Sequence, residues 1–225
     1  MSDDLPDEGR AGLKLREQAY DRFTHHLLAK ALKPGQFVSQ RELVAITGMP
    51  LGAIRELIPR LEAEGLIRTV PQRGMQIAHL DLNLIRDAYQ LRLFLERPAT
   101  RAFVRSAGEA TLRVLHARHA AILARAEDGE ASPALEAEAQ ATDWGMHDQI
   151  IDALGNEIIS KTYRVNSIKI RLIRDAAVRI NDMVAPVMRE HLGIIDRMLA
   201  RDEAGAEEAM AAHIERAKLR ALNLA

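Results

Sequence analysis

The stretch DWGMH at 143–147 places a carboxylate, Asp143, and an imidazole, His147, four residues apart. Apolar residues recur around the pair at helical spacing, and Ile150 and Ile151 fall on the same stripe as both polar groups. A carboxylate on a stripe that faces a protein core is costly unless a charge or hydrogen bonds compensate it. The pair is therefore either half of a metal site or a buried hydrogen bond, and this stretch alone leaves both interpretations open.

Two further histidines share this inward placement. His191 lies among the apolar residues of one downstream helical pattern, and His213 lies among those of the next. Three predicted helices therefore each project an imidazole or a carboxylate from an otherwise apolar stripe, which favours a shared site. Such ligands suit zinc, nickel, manganese or iron. No comparable convergence is predicted for the remaining histidines, His25, His26, His79, His116 and His119.

Composition favours a helical protein outside the membrane. The chain has 225 residues, of which 48% are hydrophobic and only 4% aromatic, and it contains no cysteine. Its abundant Ala, Leu, Arg and Glu favour helices over sheets. The acidic N-terminus lacks the apolar region of a signal peptide, and no apolar run approaches the roughly 18 residues that cross a bilayer. These features predict a cytoplasmic protein without disulfides or thiolate metal sites.

Charge is unevenly distributed along the chain. Residues 9–80 contain 11 Lys and Arg against 6 Asp and Glu, a net charge of +5, whereas residues 81–225 contain 20 against 22, a net charge of −2. A positive first third favours contact between that part of the chain and a polyanion.

The order of elements in this first third is typical of a winged helix-turn-helix domain. A helix is predicted at 13–31, and Ser39 and Glu42 have the spacing of a capping box that starts a second helix. A third helix is predicted at 51–64, followed by two short β-rich runs. Gly74 lies in the turn between these runs, where a glycine can adopt positive φ.

From residue 81 onward the pattern predicts only helices, which should form an antiparallel bundle. The six predicted helices span 81–106, 109–127, 133–154, 157–181, 184–201 and 203–223. The fold class is therefore mainly α. We divide the chain into a disordered acidic tail (1–12), the winged helix-turn-helix domain (13–79) and the all-helical domain (80–225).

The sequence resembles the GntR family of bacterial transcription regulators, in the FadR-like branch that carries an all-helical FCD effector domain. The resemblance covers nearly the whole chain after the tail. It rests on SQRELVAITGMPLGAIRELIPRLEAEGLIRTVPQRGMQIA, on DAYQLRLFLERPATRAF, on DWGMH, and on His191 and His213, which lie 22 residues apart. Six bundle helices rather than seven are more similar to the VanR-type subgroup.

The resemblance implies a metal-centred sensor pocket. Family members with this signature bind a divalent ion through the groups that match Asp143, His147, His191 and His213, and zinc is the first expectation here. A small carboxylate effector is held beside the ion.

Three residues are implied for the effector pocket. Arg92 matches the family's pocket arginine, and a guanidinium can form a bidentate, charge-assisted pair with a carboxylate. Asn166 and Arg171, on a later helix, are candidates by their position alone.

The resemblance also implies a set of DNA contacts. Arg55, in the recognition helix, and Arg41, in the preceding helix, match family arginines that contact DNA, and arginine suits O6 and N7 of guanine. At the wing tip, Arg73 and Gly74 are expected to approach the DNA backbone or the minor groove.

The start of the recognition helix departs from the family pattern. A run of the Ser-Arg-Thr-Pro type is replaced here by Pro50, Leu51, Gly52 and Ala53, so two hydroxyls and one cation are missing. Leu51 and Gly52 still take DNA-facing positions, and Leu51 either contacts a thymine methyl or faces the first helix. We therefore expect an operator unlike the family's commonest one, with fewer direct contacts.

The leading interpretation is a homodimeric, ligand-responsive regulator, with repression as the expected activity, that binds double-stranded, pseudo-palindromic operator DNA. A rival is a metal-dependent enzyme that acts on a small organic acid, which would need a general base near the metal-bound water. The free carboxylates Asp148, Asp152 and Asp196 lie off the metal-bearing face, so the enzyme is disfavoured. A third interpretation is a DNA-binding protein whose metal is purely structural.

Overall fold

The computed structural model describes the backbone of residues 7–177 and 183–222, and the side chains of 14–174 and 183–222. The chain divides into two compact units, Met1–Asp81 and Leu82–Ala225. Helices predominate in both, which confirms the predicted fold class. None of the described helices is long and apolar enough to span a membrane.

The first unit is a winged helix-turn-helix. Its antiparallel sheet has the strand order β1-β3-β2, in which β2 and β3 form the predicted hairpin. Phe23, Ile54, Leu57 and Leu61 are completely buried in its core. The elements in chain order are α1 (Asp7–Leu28), β1 (Phe37–Val38), α2 (Gln40–Thr47), α3 (Leu51–Ala63), β2 (Ile67–Val70) and β3 (Gly74–Ile77).

Local capping signals fix the start and the end of α2, which directly precedes the recognition helix α3. The Ser39 hydroxyl accepts a hydrogen bond from the Glu42 amide at 3.2 Å, and the Glu42 carboxylate accepts one from the Ser39 amide at 2.7 Å. This capping box confirms the predicted start of α2. The helix ends at Gly48, whose φ of +65° is left-handed, and α3 begins directly after Pro50.

Two local predictions need correction. Helix α1 begins at Asp7 and so enters the tail that we expected to be disordered, while residues 1–6 lie outside the described part of the chain. Acidic residues in a first helical turn favour this start because they complement the helix dipole. The sequence also did not predict β1, which has only two residues and forms by pairing Phe37 and Val38 with β3.

The turn of the wing requires glycine at position 74. Its φ is +89°, and a Cβ there would lie 2.8 Å from the Val38 carbonyl oxygen. We expect Gly74→Ala to lower the free energy of unfolding by about 2 kcal/mol or more, because alanine is strained in this conformation and collides with backbone. Chemical denaturation of the full chain measures the change.

Gly52→Ala is the matched control. Gly52 lies in α3, and no atom of another element comes within 4 Å of a Cβ at that position. Alanine should stabilise this helix by about 0.5–1 kcal/mol. If Gly74→Ala unfolds at the same midpoint concentration of denaturant as the wild type, the assignment of strain to the wing is wrong.

The second unit consists, in its described part, of six helices. Their ends agree with the prediction within two residues, except at the end of α7, where the predicted helix continues into the undescribed residues 178–182. Helix α4 packs against α6, α7 and α9, and α5 packs against α6 and α8. The six helices are α4 (Leu82–Ser106), α5 (Glu109–Glu127), α6 (Pro133–Asp152), α7 (Glu157–Ala177), α8 (Val184–Leu199) and α9 (Glu203–Leu222).

Candidate metal centre

Four buried polar side chains converge inside the helical unit. Asp143 and His147 come from α6, His191 from α8 and His213 from α9, and each offers one ligand atom within 4.8 Å of the others. None of the four is more than 4% exposed. The structure thus brings together the four residues that the sequence singled out, and their role as ligands stays a prediction.

The convergent atoms are three imidazole nitrogens and one carboxylate oxygen. Asp143 Oδ1 lies 3.4 Å from His147 Nε2 and 3.2 Å from His191 Nε2. His191 Nε2 lies 3.4 Å from His213 Nε2. This donor set suits a divalent transition-metal ion.

Two further carboxylates support the histidines from outside. Glu96 Oε2, from α4, lies 2.6 Å from His147 Nδ1, and Glu190 Oε2, from α8, lies 2.7 Å from His213 Nδ1. A carboxylate on the outer nitrogen of a ligating histidine orients the ring and leaves the Nε2 lone pair for a metal. The sequence pattern did not predict either carboxylate. For Glu96, the available signal in the sequence was its position four residues after Arg92 on the same helix.

Arg92 contacts the cluster directly. Its Nε donates to Glu96 Oε1 at 2.5 Å, and its Nη2 lies 2.7 Å from His147 Nε2. Because a guanidinium only donates, Nε2 must accept, and the proton of neutral His147 then lies on Nδ1, facing Glu96. The Tyr163 hydroxyl donates to Glu96 Oε1 at 2.9 Å and completes the network. Arg92 therefore occupies the lone pair that a metal ion would use.

The electrostatics of the cluster favour ligand-competent protonation states at Asp143, His191 and His213. Burial acts to raise the pKa of Asp143, but the paired guanidinium of Arg174 and the neighbouring histidines hold it well below its usual range. Burial, reinforced by His213, lowers the pKa of His191 well below its usual value, and burial lowers that of His213 to about 4. For His147, burial acts to lower the pKa, but Glu96 and Asp143 together raise it above its usual value. His147 is thus the imidazole at which protons compete first with a metal.

A cavity of about 50 Å³ adjoins the cluster. Its lining includes Asp143, His213 and three arginines, Arg92, Arg174 and Arg220. Arg92 lines the cavity, and its role in effector binding stays a prediction, whereas Arg174 and Arg220 were not predicted. Three guanidinium groups around so small a space favour an anionic ligand.

Asn166 and Arg171 are placed differently from Arg92. The buried Asn166 amide donates to the Ala88 carbonyl at 2.9 Å, and the Arg171 guanidinium lies 4.7 Å from the Trp144 ring centroid. Neither is among the described residues that line the cavity. Arg174, about one turn further along α7, presents its guanidinium there instead.

His119 is a buried neighbour of the cluster that the sequence did not single out. It showed no predicted convergence with the other histidines, yet it is completely buried and its ring centroid lies 5.2 Å from that of His191. Its Nδ1 contacts the Leu115 carbonyl oxygen at 2.7 Å. The spacing of His119 with the buried Leu112, Leu115 and Ile122 of α5 was the signal that could have placed it.

The residues predicted to contact DNA lie on the surface of the first unit. Arg55 Nε donates to Gln40 Oε1 at 3.2 Å, and the Arg73 guanidinium lies 4.4 Å from the Phe37 ring centroid. Leu51 is 38% exposed at the start of α3. All six predicted contact residues are exposed, namely Arg41, Leu51, Gly52, Arg55, Arg73 and Gly74.

A winged helix-turn-helix unit followed by a helical unit with a buried histidine-carboxylate cluster defines a class of two-domain bacterial regulators. Residues 15–77 match the family described as bacterial regulatory proteins of the gntR family, and residues 87–216 match the FCD domain. Because the FCD match covers more than half of the chain, the chain belongs to the GntR family of regulators with a C-terminal FCD domain. These matches do not distinguish the VanR-type subgroup.

Several relatives share this organisation. The chain is 31% identical over 142 residues to the Nta operon transcriptional regulator of Aminobacter aminovorans. The aligned region covers 63% of this chain and 65% of that protein. It resembles the structure of E. coli McbR/YncC with a TM-score of 0.72 at 16% identity, over 93% of this chain and 97% of that one. A metal-free FCD domain of TM0439 is similar over 65% of this chain and 96% of that one, with a TM-score of 0.53 and 21% identity.

The chain is therefore a transcriptional regulator. The matched families and relatives are regulators rather than enzymes, which removes the metal-dependent enzyme from the alternatives.

Proposed function

We propose that this GntR-family regulator is a metal-centred sensor of a small carboxylate metabolite. Asp143, His147, His191 and His213 would hold a divalent ion, with zinc the first candidate, and the ligand would bind in the adjoining cavity. The observation that carries the proposal is the convergence of four buried ligand atoms within 4.8 Å beside an arginine-lined cavity.

The residues present fit such an ion. Three imidazoles and one carboxylate leave positions open on a five- or six-coordinate ion, and a bound ion would supply a Lewis-acidic contact for a carboxylate oxygen. Arg92 is placed to bind the same carboxylate through its guanidinium. Because Arg92 Nη2 lies 2.7 Å from His147 Nε2, the guanidinium would have to move off this nitrogen for the ion to bind.

The output of the sensor is DNA binding by a homodimer on a pseudo-palindromic operator. The ligand changes DNA affinity only by its differential affinity for the DNA-competent and incompetent states. We propose that the chain represses and that the ligand relieves the repression. Arg41, Arg55 and Arg73 would contact DNA, together with Leu51, Gly52 and Gly74.

Release of DNA by a ligand tests the proposal. A DNA fragment selected from random sequence by the wild-type chain is labelled, and its binding is followed by fluorescence anisotropy during titration with carboxylic acids. At least one acid should weaken DNA binding by roughly 5- to 150-fold with zinc-loaded protein. Chelator-stripped protein should not respond. If zinc stays bound and no acid releases the DNA, the metal is structural.

Arg55→Ala tests the DNA-binding surface. Loss of a guanidinium that reads a guanine should weaken binding to the selected DNA by roughly 10- to 100-fold, because such a bidentate contact is worth about 1–3 kcal/mol. The anisotropy assay, repeated across salt concentrations, measures both the affinity and its salt dependence. Unchanged values for both would contradict the assignment of α3 as the recognition helix.

Arg60→Ala is the control on the same helix. The Arg60 guanidinium pairs with Glu17 at 2.9 Å and with Glu64 at 3.0 Å, and it stacks on Tyr20, so it is held by its own domain. Its replacement should change DNA affinity far less than Arg55→Ala does. An equal loss in both variants would show that only the charge of α3 matters.

A further inference from the structure

We propose that the ligand beside the metal centre is a short-chain dicarboxylate, and that Arg220 binds its second carboxylate. This inference rests on the proposed function and narrows its ligand class. It follows from the charges around the cavity and from the depths at which its arginines lie.

The charged groups at the cavity cancel in pairs. Three arginines line the cavity, and each contacts one carboxylate. The pairs are Arg92 with Glu96 at 2.5 Å, Arg174 with Asp143, and Arg220 with Glu190 at 3.1 Å. Histidines that ligate an ion are neutral, so the three positive and three negative charges then sum to zero.

A divalent ion adds two positive charges to this balanced set. Positive charge in a buried site is costly unless an anion compensates it. The nearest further groups do not supply the missing negative charge. Arg171, which stacks on Trp144, and Arg216, which contacts Glu190, are cations, and the carboxylate of Asp148 pairs with Arg164. A dianion restores neutrality, whereas a monocarboxylate leaves one positive charge uncompensated.

The arginines are arranged at two depths. The Arg92 side chain is 5% exposed and touches the ligand cluster, while the Arg220 side chain is 24% exposed. One carboxylate can therefore bind at the inner end of the cavity and another at the outer end. The free space of about 50 Å³ restricts the carbon chain between the two carboxylates to a few carbons.

Arg216 provides a matched control for Arg220. Both guanidinium groups bind Glu190, whose other oxygen contacts His213, so both variants disturb the same support of the cluster. Only Arg220 is among the described residues that line the cavity. A difference between the two variants therefore reports on the ligand rather than on Glu190.

Calorimetric titration of the zinc-loaded, full-length chain tests the inference with acids of matched length. Malonate is compared with propionate, and succinate with butyrate. In the wild type, at least one dicarboxylate should bind roughly tenfold or more tightly than its matched monocarboxylate, as expected for an added charge-assisted contact. Arg220→Gln should reduce this preference to about twofold or less. Arg216→Gln should retain it.

Each contrary outcome has a distinct meaning. Equal affinities for matched acids in the wild type overturn the dicarboxylate class but leave a carboxylate sensor standing. An equal loss of preference in both variants overturns the role of Arg220. The same preference in metal-free protein overturns the charge argument. If no acid binds the zinc-loaded chain, the proposed function fails as well.

Discussion

Replacing His191 with alanine is expected to weaken zinc binding by roughly 100-fold. Structural zinc sites contribute about 10–16 kcal/mol over four ligands, so one ligand accounts for about 3 kcal/mol. His191 is completely buried, and its Nε2 lies 3.2 Å from Asp143 Oδ1, so no solvent-exposed side chain can substitute for it. Elemental analysis of the purified chains and competition with a chromophoric chelator measure the change.

His119→Ala is the matched control for this variant. His119 is as deeply buried as His191 and its ring contacts that of His191, but it does not belong to the four convergent residues. Its removal creates a similar cavity in the same core and should leave zinc stoichiometry unchanged. Equal zinc content in the wild type and His191→Ala would show that the assignment of the four zinc ligands is wrong. Loss of zinc from both variants would instead add His119 to the site.

Glu96→Ala is expected to destabilise the metal-free chain by about 3–5 kcal/mol, the range found when one partner of a buried ion pair is removed. Glu96 is completely buried and contacts Arg92, His147 and Tyr163. Its loss leaves the Arg92 guanidinium without its 2.5 Å partner in the core. Urea denaturation followed by circular dichroism measures the difference.

The same contacts give this stabilisation a direction in pH. Burial acts to raise the pKa of Glu96, but Arg92 and His147 outweigh it and lower the pKa from 4.5 to about 2. A carboxyl with a depressed pKa stabilises the fold fully above its ordinary value and loses this effect as the pH falls. The difference in stability between wild type and Glu96→Ala should therefore shrink between pH 4.5 and about 2.

Two variants isolate the cause of the Glu96 effect. Glu109→Ala removes an exposed carboxylate from an ion pair with Arg113 in the first turn of α5, and it should change the free energy of unfolding by only about 1 kcal/mol or less. Glu96→Gln keeps the size of the side chain but removes its charge, and it should weaken zinc binding by roughly 10- to 100-fold because His147 loses its carboxylate support. If Glu96→Ala and Glu109→Ala unfold at the same midpoint concentration of urea, the proposed role of Glu96 is wrong.

The helices and the four candidate ligands could be predicted from the sequence because their signals are local. Capping residues such as Ser39 and the apolar periodicity of each segment act within a few turns of one helix. Asp143, His147, His191 and His213 stand out because each interrupts an apolar stripe on its own helix. The apolar stripe shows that a residue points into the core, but it does not identify the side chain that the residue meets on a neighbouring helix.

What lies opposite was decided only by the tertiary structure. The contacts of Glu96 with His147 and of Arg174 with Asp143 join different helices, and each depends on helix packing that periodicity within a helix does not specify. Arg220 likewise reaches the cavity from the last described helix. The sequence by itself determined the helical bundle and the inward orientation of Asp143, His147, His191 and His213. The tertiary structure decided which charges meet there, because ion pairing depends on distances of a few ångströms between helices that are distant in sequence.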